Sequence, residues 1–85
     1  MPKPIRFSQH AREQMAERGA TEDEVVEAVR AGEQVPAKRG RLGYRRNLQY
    51  DRLWGGRTYA IKQVLAIIVE ESDAIIVVTV YTFYF

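Results

Sequence analysis

Leu42-Gly43-Tyr44-Arg45-Arg46-Asn47-Leu48-Gln49-Tyr50-Asp51 is the stretch in which the chain changes its hydrophobic period, and its reading decides the fold. Leu42, Tyr44, Leu48 and Tyr50 recur at even spacing with Arg45, Asn47, Gln49 and Asp51 between them, the alternation of a strand with one buried face. Arg46 interrupts the apolar side, where a cation is costly unless it is paired or lines an open cleft. Downstream the chain continues as strands. Gly55-Gly56 supplies a turn, Arg57–Val69 reads as a long strand or a bent pair, and Glu70-Glu71-Ser72-Asp73 is a polar turn. Ala74–Tyr84 is the most β-prone segment, and its apolar run predicts burial on both faces, hence a central strand.

Upstream of this stretch the period is helical. Ile5-Arg6-Phe7 is a short apolar lead-in compatible with a strand end. Ser8 is placed to cap a helix over Gln9–Arg18, with Ala11 and Met15 on one face and Gly19 as its stop. Thr21 opens a second helix, Glu24 completes a capping box, and Val25, Val26 and Val29 supply its buried stripe. Ala31-Gly32 ends it and Pro36 prevents easy extension. The short joint predicts a helical hairpin. The expected fold is therefore α+β: an N-terminal helical hairpin packed on a three- or four-stranded, mainly antiparallel sheet.

Eighty-five residues predict one domain over 1–85. There is no cysteine, and the opening residues contain no apolar signal core, so a cytoplasmic protein without a membrane segment is expected. Charge is segregated. Lys38, Arg39, Arg41, Arg45, Arg46, Arg52, Arg57 and Lys62 stand against the lone acid Asp51 in the middle of a chain whose net charge is only +2. Interleaved with Tyr44, Tyr50, Trp54 and Tyr59, such a block is the footprint expected of a polyanion partner such as a nucleic acid; its bland alternative is a solvated loop and edge strand. Arg41, Arg45, Arg46 and Arg57 are the candidate nucleic-acid-binding residues. Arg45 and Arg46 lie on opposite faces of one strand, so a compact site uses one of them, and Arg46 is favoured.

Few residues could carry chemistry. His10, the only histidine, falls in the first turn of the first helix, where the dipole favours anions and a neutral, base-competent imidazole. Arg18 falls on the sheet-facing stripe, either as a cation at a helix C-terminus with a snorkelling stem or as a guanidinium aimed at a phosphate. Lys62 lies in a strand on the face of Thr58, Ala60 and Val64. Thr79 and Tyr81 share a face of the last strand with Ile75 and Val77, where such groups are commonly core members with satisfied hydrogen bonds. The acids cluster at a helix start and in a turn. With one histidine and no cysteine, neither a metal nor a cofactor is expected.

Phe7-Ser8-Gln9-His10-Ala11, then Met15, then Glu17-Arg18-Gly19, followed by a Val-rich helix ending at Gly32 and a strand reading Val78-Thr79-Val80-Tyr81, resembles an uncharacterised family of small bacterial toxin-like proteins. That family is grouped with the barnase, EndoU, colicin and RelE-like ribonucleases, and the resemblance spans nearly the whole chain. It implies a metal-independent RNA endonuclease toxin of a toxin–antitoxin pair, with a zinc-containing antitoxin of the MqsA kind as partner. Carried over by position, it points to His10, Arg18, Thr79 and Tyr81. One departure stands out: Gln14 occupies a position where an arginine commonly precedes the methionine. Lys62 completes the expected catalytic set, with Arg18, Lys62 and the RNA-binding candidate Arg46 as charge stabilisers. The alternatives are a non-catalytic RNA- or protein-binding module on the same scaffold, and an interaction protein whose aromatic C-terminal strand pairs with another chain, including a homodimer.

Overall fold

In the computed structural model, which describes residues 3–85, the helices begin and end for local chemical reasons. β1 (Ile5–Phe7) leads directly into α1 (Gln9–Arg18). Ser8 caps α1 by accepting a 3.0 Å hydrogen bond from the Ala11 N–H. Gly19 ends it in the left-handed region at φ 76°. A side chain at that position would also meet the ring of Trp54, whose atoms lie 2.6 and 2.8 Å from where a Cβ would stand. α2 (Glu22–Ala31) starts at the reciprocal Thr21–Glu24 capping box. Four strands joined by three antiparallel connections follow in the order β2 (Glu33–Pro36), β3 (Leu42–Trp54), β4 (Arg57–Glu70) and β5 (Ile75–Tyr84), and β4 is one continuous strand.

The fold corrects the sequence expectation in two respects. The sheet has five strands rather than three or four and is mixed, in the order β1-β5-β4-β3-β2, with β1 parallel to β5 and the other pairs antiparallel. Ile5-Arg6-Phe7 is thus a full partner of β5, and the segment around Pro36 is an edge strand, where the missing N–H costs no ladder bond. The helices also do not form an N-terminal hairpin on the sheet. A strand precedes them, and each packs on strands of its own, α1 on β5 and α2 on β3 and β4. Gly19, Ala20 and Thr21 turn the chain across the sheet instead of folding the second helix back on the first.

Both helices cover the same side of the sheet. Ala11, Met15, Val25, Ala28 and Val29 meet Val64, Ala66, Ile68, Val77 and Val80 there in one core. The alternation along β4 is strict: Lys62, Val64, Ala66 and Ile68 are buried, and the residues between them are only half-buried. The latter face away from the helices, and among the described residues no second layer covers them.

β5 is flanked on both sides only over Ile75–Val77, so β4, not β5, is the central strand. Past that point α1 takes over as the cover of the outer edge of β5. The Ser8 N–H donates to the Val77 carbonyl at 3.0 Å. Gln14 Oε1 accepts from the Val80 N–H at 2.9 Å, and Arg18 Nη1 donates to the Val80 carbonyl at 2.6 Å. Side chains of one helix thereby do what a sixth strand would do, leaving little edge for another chain to pair with.

A register shift between Ile67 and Ile68 leaves Val78 without a partner, because Val77 pairs with Ile68 and Thr79 with Ile67. This bulge has a large consequence for the side chains. Val77 and Val80 point into the core, whereas Thr79 and Tyr81 point to the uncovered face, so the expected sharing of one face by Thr79, Tyr81, Ile75 and Val77 does not hold.

Candidate functional site

Thr79 and Tyr81 stand on the uncovered face beside the loop that joins β2 to β3. There Lys38, Arg39 and Arg41 rise around them, with Ile67 as the floor, to enclose a hollow of about 340 Å³. The loop holds its shape through a tight turn in which Arg39 and Gly40 both take positive φ (61° and 72°), closed by the Arg41 N–H donating to the Lys38 carbonyl at 3.2 Å. A left-handed arginine is a strained choice for a connection, and here it projects one more cation beside the hollow. Lys38, Arg39 and Arg41 form no ion pair among the described residues.

Tyr81 is the junction of the site. Its side chain is exposed, and the Arg18 guanidinium lies 5.0 Å from the ring centroid. Arg18 gets there by crossing the outer edge of β5, anchored on the Val80 carbonyl. His10, Gln14 and Arg18 fall four apart along α1, so they share one flank of the helix, and Gln14 and Arg18 show that this flank faces the β5 edge. His10 therefore sits along the same edge, exposed, one turn before Gln14 and about 12 Å along the axis from Arg18. Thr79, Tyr81 and Arg41 thus line one hollow, Arg18 joins them through the Tyr81 ring without lining it, and His10 lies farther along the same helix flank.

The remaining candidates lie elsewhere. Lys62 is on the helix-covered face and only 3% exposed. Its ammonium donates to the Glu24 carboxylate at 2.8 Å and to the Gly19 carbonyl, and it lies 5.5 Å from the Tyr50 ring centroid. Burial alone would raise the Glu24 pKa, but hydrogen bonds from Lys62 and Thr21 and the charge of Lys62 outweigh it and hold the carboxyl below its ordinary value. These contacts make Lys62 the strut between the α1–α2 turn and the sheet. Arg46 also faces the helices, donating to the Ala31 carbonyl at 3.2 Å beside Glu27 at 3.4 Å. Arg45 is on the open face but is bound to Glu33, its Nε 2.6 Å from the carboxylate. Arg57 is at the far tip of the β3–β4 hairpin, over the Tyr59 ring.

At that end Trp54 stacks on Tyr84 (centroids 4.9 Å apart, 16° between planes), and Tyr50 and Tyr59 pack around the same ring. Burial raises the Tyr84 pKa, and its phenol donates to the Arg18 carbonyl at 2.7 Å. The aromatics interleaved with the basic block are thus largely a structural cluster closing the end of the core. A larger hollow of about 620 Å³ opens at the end of α2, but the arginines beside it, Arg45 and Arg46, already have acidic partners. The smaller hollow has the free charge.

Sequence reasoning placed Lys38 and Arg39 in the basic block without singling them out. Lys38-Arg39-Gly40-Arg41 is the densest basic run in the chain and contains a turn glycine, a signal that could have placed these side chains together. Nothing in the sequence marks Gln14 as an edge cap, because its partner is 66 residues away.

Among the described residues no helix is long and apolar enough to cross a membrane, and no group of three or more His, Cys, Asp or Glu could hold a metal ion. Residues 7–82 match the family model described as Domain of unknown function (DUF4258). Nothing among curated proteins or solved structures matches the chain.

Proposed function

The chain belongs to the DUF4258 family, and we propose that it binds RNA at the hollow beside Tyr81 and cleaves it without metal, as a toxin-type endoribonuclease restrained by a cognate antitoxin protein. One observation carries the reading. Tyr81 lies under the Arg18 guanidinium and beside Lys38, Arg39 and Arg41, on an open face, with the only histidine of the chain on the adjoining helix flank. A phosphodiester in that hollow would meet cations on two sides and a phenol able to donate a proton.

Metal-free RNA cleavage needs three things, and this edge of the molecule has residue types suited to each. His10 takes the proton of the ribose 2′-hydroxyl, whose oxygen attacks the adjacent phosphorus. Arg18 and Arg41 meet the charge that grows on the phosphate oxygens. Tyr81, its phenol oriented by the ring's packing under Arg18 and assisted by Thr79, gives a proton to the departing 5′-oxygen. The P–O5′ bond breaks, leaving a 2′,3′-cyclic phosphate on one fragment and a 5′-hydroxyl on the other. Lys62 and Arg46 have no part in this scheme, since both are committed to partners on the opposite face.

The test is end-labelled RNA incubated with the protein in EDTA, wild type beside His10→Ala and Tyr81→Phe. Loss of a proton-transfer group lowers rate by about 10²–10⁴-fold. Both variants are expected to bind RNA, melt like wild type and cleave at least 100-fold more slowly. Intact RNA after incubation with wild type that nonetheless binds it would establish instead the non-catalytic module. The exposed His10 ring, without a hydrogen-bond partner among the described residues to orient it, is the observation that favours that second reading.

A further inference from the structure

Two rows of side chains run across the open face next to the hollow. In one, Asn47 of β3 pairs with Gln63 of β4, which pairs with Phe83 of β5. In the neighbouring row Arg45 pairs with Leu65, which pairs with Tyr81. The rings of Tyr81 and Phe83 are nearly parallel, 23° apart with centroids 6.5 Å from each other, and are 40% and 43% exposed. Beside Phe83 the Gln63 amide donates to Asn47 Oδ1 at 2.8 Å. That bond leaves the Gln63 carbonyl, one of its N–H groups and the Asn47 amide N–H groups for other partners.

We infer that this row is a nucleobase platform for single-stranded RNA: an unpaired base stacks on Phe83, Gln63 and Asn47 hydrogen-bond its edge, and the strand runs on to Lys38, Arg39 and Arg41. The inference rests on the RNA reading and adds which form of RNA is taken and where its base sits. Exposed parallel rings on an open sheet, flanked by cations, suit unpaired bases and not a duplex, whose bases are stacked on one another and out of reach. The charge distribution decides between RNA and protein as occupant. An apolar protein surface laid over this face would bury the free ends of both amides and the unpaired cations of the 38–41 loop, at a cost for each. A nucleotide satisfies all three features together, with its base on the ring, its edge on the amides and its phosphates at the loop.

Fluorescence anisotropy with a labelled, 2′-O-methylated single-stranded oligonucleotide, which cannot be cleaved, and with its duplex tests the platform at fixed salt. Wild type is expected to prefer the single strand. Phe83→Ala and Phe83→Leu should weaken that binding by about 10- to 100-fold, the range for losing one stacked base, while Phe83→Trp retains it. Because the ring is exposed, all three variants should melt like wild type. Retention by Phe83→Leu of wild-type affinity, or equal affinity for single strand and duplex, would overturn the platform while the RNA reading stood. Failure of wild type to bind either form would remove both. A dimer present in those samples and dissolved by Phe83→Ala would assign the face to protein contact instead.

Discussion

The two faces of the sheet hold their polar groups under opposite conditions. On the helix side, Lys62 is buried and has a carboxylate, a carbonyl and a ring around it, and Arg46 has a carbonyl and a carboxylate. On the open side, Lys38, Arg39 and Arg41 have no acidic partner, and Tyr81 and Phe83 are exposed aromatics. A charge that the fold has satisfied holds the fold together, whereas an unsatisfied one is available to a ligand. The basic block of the sequence is therefore two populations: strand residues held by partners, Arg45 on the open face among them, and the loop cations Lys38, Arg39 and Arg41, which have no acidic partner among the described residues. Substitutions on the two faces should produce different phenotypes, loss of stability on one and loss of RNA handling on the other.

The covered face gives the largest expected stability effect. Glu24→Ala leaves the Lys62 ammonium buried with only the Gly19 carbonyl as acceptor. Removing one partner of such a pair costs about 3 kcal/mol, or roughly 15 °C in melting temperature for a domain of this size. The same carboxylate sets an acid limit. Its pKa is lower folded than unfolded, so its stabilisation is complete above its ordinary value of 4.5 and is lost as pH falls through the lowered folded value. Thermal melts at pH 7 and pH 3 should show wild type losing stability with acid and Glu24→Ala losing less. Equal melting of the two proteins at pH 7 would mean that the buried lysine does not need its partner.

Part of this arrangement was legible in the sequence because it is local. Ser8, Gly19 and the Thr21–Glu24 pair mark helix ends through bonds spanning three or four residues, and the alternation along Leu42–Tyr50 identifies the faces of β3 correctly. What was not legible depends on distant partners. β1 is three residues long and exists because β5 pairs with it, and β2 exists despite Pro36 because only one of its edges is paired. The Lys62–Glu24 pair spans 38 residues. The bulge at Val78 was invisible for another reason: it falls inside an unbroken apolar run, where no polar residue reports the change of face. Thr79 and Tyr81 were thus named as candidates while the surface they occupy was misread.

Gln14 links the two faces and carries the next largest effect. It is nearly buried, and its carbonyl oxygen accepts from the Val80 N–H on the β5 edge, one residue before Tyr81. Gln14→Ala strands that N–H, at about 1–3 kcal/mol. An arginine at this position, which the resembling family commonly has, possesses no acceptor, so Gln14→Arg should cost a similar amount unless the edge rearranges. Either variant also loosens the strand that Arg18 grips, and RNA cleavage should fall further than the change in melting temperature accounts for. Wild-type stability in both variants would mean that α1 does not seal this edge, and that the placement of Arg18 over Tyr81 has some other support.

The smallest effect is the one that most directly separates the two populations of charge. Arg41 and Arg57 both belong to the basic block, but Arg41 lies at the hollow and Arg57 at the far tip of the β3–β4 hairpin. Each phosphate contact contributes about 0.7 to the slope of log affinity against log salt for a single strand. Arg41→Ala should therefore lower that slope by about 0.7 and weaken binding uniformly across RNA sequences, whereas Arg57→Ala should leave the slope unchanged and weaken binding less. Neither residue forms an ion pair among the described residues, so the two variants lose the same formal charge and any general attraction to RNA falls equally. A difference between them then measures location alone. Equal slopes for the two variants would mean that RNA is held by a diffuse field and not at the open-face hollow, and the division of the basic block into held and unheld cations would lose its functional meaning.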